Sequence, residues 1–418
     1  MACLKTAASG TCAWVFETQE FVQWKEIQPP ALFWVTGGPG MGKTVLSTFL
    51  VDNVLDQLES HNRSDTKARL AYFFCDNSNK NRCSALAILR GLLYQLCRAD
   101  HDLMKNHMQR ECAAQINPSE GMLENFDALW RVFESILGDP RTGEVIVIID
   151  ALDECEVKSQ ATFLEYLMRI LSRQGRTGAA ALKVIVTSRH SKTIGPYMSG
   201  RAHHLHMDSR RIAGDLKAFI SGKVRQLSET NHYPEDLRQE VERKLLLNHG
   251  GTFLWVYLAV SQLEDVRTPN VLEYLDQFPT DIFDIYDRIL ERIPHKYRED
   301  ARFVFRIVAA AERPLTKIEV CRAFSISSKK SWSSAWANPE PSETYSRDRL
   351  QMQIFDYCSD FVHFEKQGDT ESLHLIHYSA KEYLLNDAVY GFVIVGLLLN
   401  NDDPLMIGSG WHEEEEGG

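Results

Sequence analysis

With 418 residues, 44% of them hydrophobic and 25% charged, the chain is long enough for two or three domains with ample core. Its 46 basic and 57 acidic side chains give a formal charge of −11, which argues against a general nucleic-acid or polyanion binder, since that needs a basic excess. Nine cysteines stand singly, with no CxxC or finger-type spacing, and read as free thiols in a reducing compartment.

In chain order, MACLKTAASGTC lacks the apolar core of a signal peptide. The longest apolar run, AVYGFVIVGLLL at 388–399, is too short to span a bilayer, so we expect a cytoplasmic chain with no membrane span. Residues 11–30 carry Trp14, Val15, Phe21 and Trp24 at helical spacing before Pro29-Pro30, predicting a leading helix within 1–30 whose aromatic side chains serve packing. ALFWV (31–35) reads as a buried strand. Val45 to Leu58 reads as a helix, with Leu46, Leu50, Val54 and Leu58 on one face. A strand at LAYFFC (70–75) and a helix from Ser84 to Arg98 follow. Two β-branched strands, EVIVIID (144–150) and LKVIVTS (182–188), then flank the helical TFLEYLMRIL (162–171). Apolar strands alternating with amphipathic helices predict a parallel sheet covered on both faces, with ligands at the C-terminal strand ends.

After about residue 208 the pattern turns helical: Leu216/Phe219/Ile220/Val224, one run from Leu245 to Leu263, then Ile282 to Ile293. Residues 294–385 read as helical with a short β-like stretch. The polar SISSKKSWSSAWANPEPSETYSRD (325–348) reads as an exposed insertion, and the final EEEEGG as a solvated tail.

The chemistry concentrates in Gly37-Gly38-Pro39-Gly40-Met41-Gly42-Lys43-Thr44, set between a predicted strand and a predicted helix. This is the Walker A pattern. Its glycines let backbone N–H groups converge on an anion, Lys43 reaches the β- and γ-phosphates, and the Thr44 hydroxyl serves Mg²⁺. VIVIID-ALDE supplies the complement: Asp150, ending a buried strand, is placed to hold Mg²⁺, and Asp153 and Glu154 to orient or polarise an attacking water. Arg189, ending the strand KVIVTSR, is placed to face the γ-phosphate, although a surface arginine in a polar loop would look the same. His203, His204 and His206 in HHLHM lack a further ligand, and strand alternation would split them between faces, so no metal site is expected there.

These motifs in this order resemble a NACHT-type member of the STAND class of P-loop NTPases. The likeness is to the NACHT modules of fungal heterokaryon-incompatibility and related NOD-like proteins, and it covers roughly residues 10–386. GTCAWVFETQEFVQW, GGPGMGKT, AYFFC, ALAILRGLLYQL, VIVIIDALDECE, KVIVTSR, GGTFLWVYLAV, RPLTKIEV and LHLIHYSAKEYLL carry it. The resemblance implies an α/β P-loop NTPase domain, a parallel sheet with helices on both faces, followed by helical and winged-helix domains. The divisions would be 1–30 leading helix, 31–208 NACHT domain, 209–280 helical domain, 281–386 winged-helix domain with the insertion, and 387–418 unassigned. It also implies ATP/ADP with Mg²⁺, GTP being left open, and a resting state closed over ADP that opens on exchange and self-associates. Arg189 matches the family's sensor arginine, and His377 matches the winged-helix histidine that contacts the ADP β-phosphate; from the residues alone, His377 reads as a satisfied core histidine, and the resemblance reverses that. Where many relatives carry a proline after the glycine of the helical-domain motif, this chain has Gly250-Gly251-Thr252-Phe253.

The implied function is a slowly hydrolysing signalling switch in fungal-type self/non-self recognition or programmed cell death. No effector or repeat domain fits within these residues, so such partners would act in trans. Two other readings stay open: a conventional catalytic NTPase (AAA-like motor or P-loop kinase), and a truncated module that only binds nucleotide. Neither a kinase's arginine cluster nor a motor's arginine finger can be named in the sequence.

Overall fold

The apolar runs of the first half assemble into one parallel sheet. In the computed structural model the described residues are 10–61, 68–100, 104–114, 121–174, 181–248, 250–327, 355, 357–367 and 370–385. The strands are β1 (Ala31–Gly37), β2 (Ala68–Phe74), β3 (Glu144–Asp150), β4 (Leu182–Ser188) and β5 (His203–Met207), in the spatial order β2-β3-β4-β1-β5. All neighbours run parallel, with Trp34 opposite Val186 on one side and His204 on the other. Every residue of β1 is buried, as a strand covered on both faces requires.

Strand alternation divides β1 between two cores. Leu32 and Trp34 pack with buried residues of three helices, α3 (Ala85–Ala99), α4 (Phe126–Leu137) and α5 (Val157–Gln174). Phe33 and Val35 face Phe21 and Trp24 of α1 (Gln19–Glu26) together with Leu46 and Leu50 of α2 (Lys43–His61). Polar caps start the helices: the Ser84 hydroxyl accepts from the Ala87 N–H at 3.1 Å, and Asn125 Oδ1 from the Ala128 N–H at 3.0 Å.

The leading segment corrects the single helix expected within 1–30. Ala13–Glu17 is a 3-10 turn, and α1 begins only at Gln19. Thr18 between them is extended, donating its hydroxyl to the Val15 carbonyl at 2.6 Å and accepting from the Phe21 N–H at 3.4 Å. Such a side chain competes with the backbone ladder and favours a cap over a continuous helix. Phe21 and Trp24 are buried, and Trp14 Nε1 donates to Asp215 Oδ2 at 2.9 Å, so these aromatic residues pack and anchor.

The second half builds its own core. Here α6 (Ala213–Asn231) and α7 (Glu235–Asn248) pack around α8 (Phe253–Leu263), followed by α9 (Val271–Asp276). Leu254, Trp255, Val256, Leu258, Ala259, Val260 and Leu263 are all buried, so α8 is covered nearly all round. The run from Leu245 to Leu263 is therefore two helices, not one. Gly250 and Gly251 separate them at φ +54° and +74°, where glycine alone is unstrained, and Thr252 caps the second. Beyond them come α10 (Ile282–Arg292), α11 (Arg298–Ala310), α12 (Lys317–Ser327) and α13 (Tyr378–Leu384). They pack with an antiparallel sheet ordered β6-β8-β7, from Leu315–Thr316, Thr370–Leu375 and Val362–Gln367. The parallel-sheet NTPase-like core is thus followed by elements of helical and winged-helix type.

Of the polar segment 325–348, residues 325–327 close α12 and the rest lies outside the described residues, as do 1–9 and the tail 387–418. Among the described residues no helix is long and apolar enough to cross a membrane.

Candidate functional site

Residues 37–44 leave the C-terminal end of β1 and turn directly into α2. Gly40 and Gly42 hold φ of +70° and +82°, which side-chain-bearing residues rarely adopt. The turn leaves the first N–H groups of α2 facing outward, at the positive end of the helix dipole. Lys43 Nζ folds over the loop, donating to the carbonyls of Gly37 at 2.8 Å and Gly38 at 2.9 Å. Burial lowers its pKa, against the pull of Asp153 and Asp150.

Two strands away, Asp150 ends β3 almost fully buried and accepts three hydroxyls: Thr44 at 2.7 Å, Ser47 at 2.6 Å and Thr187 at 2.6 Å. The Thr44 hydroxyl and the Asp150 carboxylate are hard oxygen donors side by side, a set that suits a hard divalent cation. The next residue, Ala151, sits at φ 52°, ψ 48°, held by its N–H bond to Thr187 Oγ1 at 3.0 Å. A left-handed alanine costs about 1–2 kcal/mol and persists only where its surroundings enforce it. It reverses the chain into the turn Leu152–Glu154, which brings Asp153 and Glu154 back to the loop.

Glu154 is enclosed. Burial first, then the neighbouring Asp153, Asp76 and Asp150, pushes its carboxyl up to about 8, so it holds a proton at neutral pH. Asp153 is instead tied to Arg189: its Oδ1 accepts the Arg189 N–H at 2.9 Å, and its Oδ2 lies 3.4 Å from Arg189 Nε.

The remaining walls come from the second half. His377 caps α13, its Nδ1 accepting from the Ser379 N–H at 3.1 Å. Burial, with the positive Arg189 and Lys43, pushes the ring down to about 3, so it is neutral. A nitrogen that accepts a backbone N–H carries no proton, which leaves the proton on Nε2. Lys381, one turn on, donates to the Asn77 carbonyl at 3.1 Å and Asn77 Oδ1 at 2.9 Å. Arg189 reaches the same helix, pairing with Glu382 and lying 4.9 Å from the Tyr378 ring centre. From α8, the Phe253 N–H donates to the Gly40 carbonyl at 2.9 Å.

The candidate residues therefore converge. Pro39, Gly40, Met41, Gly42, Lys43, Thr44, Asp153, Glu154, Arg189 and His377 line one cavity of ≈ 170 Å³, joined by Phe253 and Leu254. A second cavity of ≈ 360 Å³ continues from Thr44, Asp150, Glu154 and His377 toward Asp76 and Lys381. Gly37 and Gly38 take part through Lys43. The histidines of HHLHM do not join. His204 Nε2 and His206 Nδ1 share the Thr36 hydroxyl at 2.8 and 3.0 Å, and His203 points from the opposite face of β5. Sequence reasoning assigned no role to Ser47, Asp76, Thr187, Phe253, Leu254, Tyr378, Lys381 or Glu382. A signal existed for two of them, since Lys381 and Glu382 follow His377 by one helical turn in a segment already singled out.

Over residues 10–189 the chain matches the family described as nephrocystin 3, N-terminal. It is 28% identical over 387 residues to the vegetative incompatibility protein HET-E-1 of Podospora anserina, a span covering 90% of this chain and 26% of that protein. It is 23% identical over 190 residues to the azaphilone pigments biosynthesis cluster protein L of Monascus ruber, covering 44% of this chain and 35% of that one. The chain thus spans well under half the length of either curated relative. Among solved structures, the Aeropyrum pernix ORC2 protein is 12% identical with a TM-score of 0.39, the match covering 93% of this chain and 94% of that one.

Proposed function

We infer the function from the premise that this chain carries a STAND/NACHT-type P-loop NTPase domain and is a nucleotide-binding regulatory module. The reading proposed is a switch that holds ADP in a closed form, exchanges it for ATP, opens and self-associates. One observation carries it: Pro39–Thr44 of the phosphate loop and His377, far apart in the chain, line the same cavity. A ligand filling that cavity touches both halves of the molecule, so its identity can set their arrangement.

The geometry supports the following roles. Lys43 turns from the Gly37 and Gly38 carbonyls to phosphate oxygens, and the outward N–H groups of α2 add their dipole. Thr44 and Asp150 would hold Mg²⁺, which when bound neutralises charge between adjacent phosphates. His377 Nε2 donates to the diphosphate, linking α13 to the ligand. Among relatives, one bears the name of a vegetative incompatibility protein. With it in view we place the switch in fungal-type self/non-self recognition or cell death, with effector and sensor proteins supplied in trans and the chain acting in the cytoplasm.

The purified chain should retain ADP and turn ATP over well below about 1 s⁻¹, against about 10 s⁻¹ for a dedicated enzyme. GTP run in parallel settles base preference. Because Glu154 must lose its proton to act on water, residual turnover should rise between pH 6 and 9 with a midpoint near about 8, and Glu154→Gln should flatten that rise. Fast turnover with free nucleotide release would favour the catalytic reading instead.

His377→Ala tests the closure contact. It should weaken ADP retention about tenfold, the scale of one hydrogen bond to a charged group, and weaken ATP binding by much less. Equal losses for both nucleotides would take His377 out of the mechanism.

A further inference from the structure

We propose that Glu382 is a specificity-determining residue of the nucleotide site: its carboxylate occupies Arg189 as an internal stand-in for a terminal phosphate, and so disfavours nucleoside triphosphate over diphosphate. The proposal rests on the nucleotide reading above and assigns Glu382 a role in it.

Arg189 follows Ser188, the last residue of β4, and lines the cavity that Lys43, Thr44 and His377 share. Its Nη1 contacts both oxygens of Glu382 at 2.8 Å. The backbone N–H and Nε of Arg189 hold Asp153, and the guanidinium lies 4.9 Å from the Tyr378 ring centre. Glu382 and Tyr378 both belong to α13, the seven-residue helix that His377 caps. The arginine that faces the phosphates and the helix that carries the closing histidine are thus tied by one ion pair.

The strength of that pair decides what it can do. The Arg189 and Glu382 side chains are 24% and 36% exposed, so solvent screens the attraction. A pair of this kind persists where nothing competes for Arg189 but yields to a phosphate dianion, which offers more charge and three acceptor oxygens. A diphosphate brings nothing to that position, and Arg189 stays with Glu382. A triphosphate must displace the carboxylate, and α13 loses that tie to Arg189. Glu382 also lines a cleft with Pro39 and Gly250, so a freed carboxylate lies between the phosphate loop and the glycine pair preceding α8.

The test is binding of ADP and of adenosine 5′-[β,γ-imido]triphosphate, both with Mg²⁺, to the full chain and its variants. Glu382→Gln should tighten the triphosphate analogue about fivefold and change ADP by less than about twofold, in keeping with a partly exposed ion pair. Glu382→Asp, which keeps the charge but shortens the reach, should move the same way by less, and serves if the glutamine variant unfolds. In an Arg189→Ala background Glu382→Gln should have no effect on the ratio, whereas a purely structural role would persist there. A ratio that stays fixed while the parent binds both nucleotides overturns this proposal alone. If the parent binds neither nucleotide, the switch reading falls and this one with it.

Discussion

Lys43→Ala should remove nucleotide binding, weakening ADP and ATP alike by at least about 100-fold. That is the loss expected when two charge-assisted hydrogen bonds to phosphate go together. Both nucleotides should suffer, because the ammonium serves the β-phosphate they share. The fold should survive. Lys43 Nζ donates to the Gly37 and Gly38 carbonyls, which can turn to water, and burial already disfavours its charge. The thermal midpoint should therefore move by no more than about 2 °C, the size of an ordinary surface change in a chain this long. Calorimetric titration with each nucleotide, beside a melting curve, reads both quantities. Affinities within about threefold of the parent would show that the loop is not the site, since no single phosphate ligand of this kind is worth so little.

Gly40→Ala should loosen the joint between the two halves. Gly40 sits at φ +70°, and an added Cβ would lie 2.6 Å from Leu254 Cβ, an atom fixed to the backbone of α8. Either the loop or the helix must move, and the Phe253 N–H to Gly40 carbonyl bond breaks in both cases. A left-handed alanine plus the overlap costs about 2–4 kcal/mol, a drop of about 2–5 °C in midpoint for a chain this long, and ADP affinity should fall with it. Gly38→Ala is the control for stability, since its Cβ would meet nothing nearer than Met41 Sδ at 3.6 Å. Equal midpoints for the two variants would mean that the contact between Gly40 and α8 does not hold the halves together.

The central strands were legible because burial on both faces leaves a continuous apolar signature, seen in ALFWV, EVIVIID and LKVIVTS. That Lys43, Thr44 and Asp150 would meet was legible for a different reason: the phosphate and cation chemistry proposed for them admits few residue types, at spacings set by a strand end and a helix start. Local chemistry hid the breaks. Thr18 caps where helical periodicity ran on, and Gly250-Gly251 separate two helices whose apolar positions read as one run from Leu245 to Leu263. The pairing of Arg189 with Glu382 was illegible in principle, for each residue in isolation is an ordinary polar side chain. Only the tertiary fold, which brings α13 to the segment just after β4, puts them together, and no periodicity encodes that.

The strand order has a consequence for how the molecule is made. The neighbours of β1 are β4 and β5, so its hydrogen-bonding edges have no partner until residues 182–188 exist. On the ribosome, at about 5–20 residues per second, the strand that carries the phosphate loop waits roughly 10–30 s for its first neighbour. β2 and β3 can pair before that, because they are adjacent and earlier. A nascent chain stopped short of β4 therefore exposes a seven-residue apolar strand with both edges bare, the kind of surface on which chaperones and aggregation compete. Under the proposed function, ligand capture is consequently a late event in the life of the polypeptide, after β4 has joined the sheet.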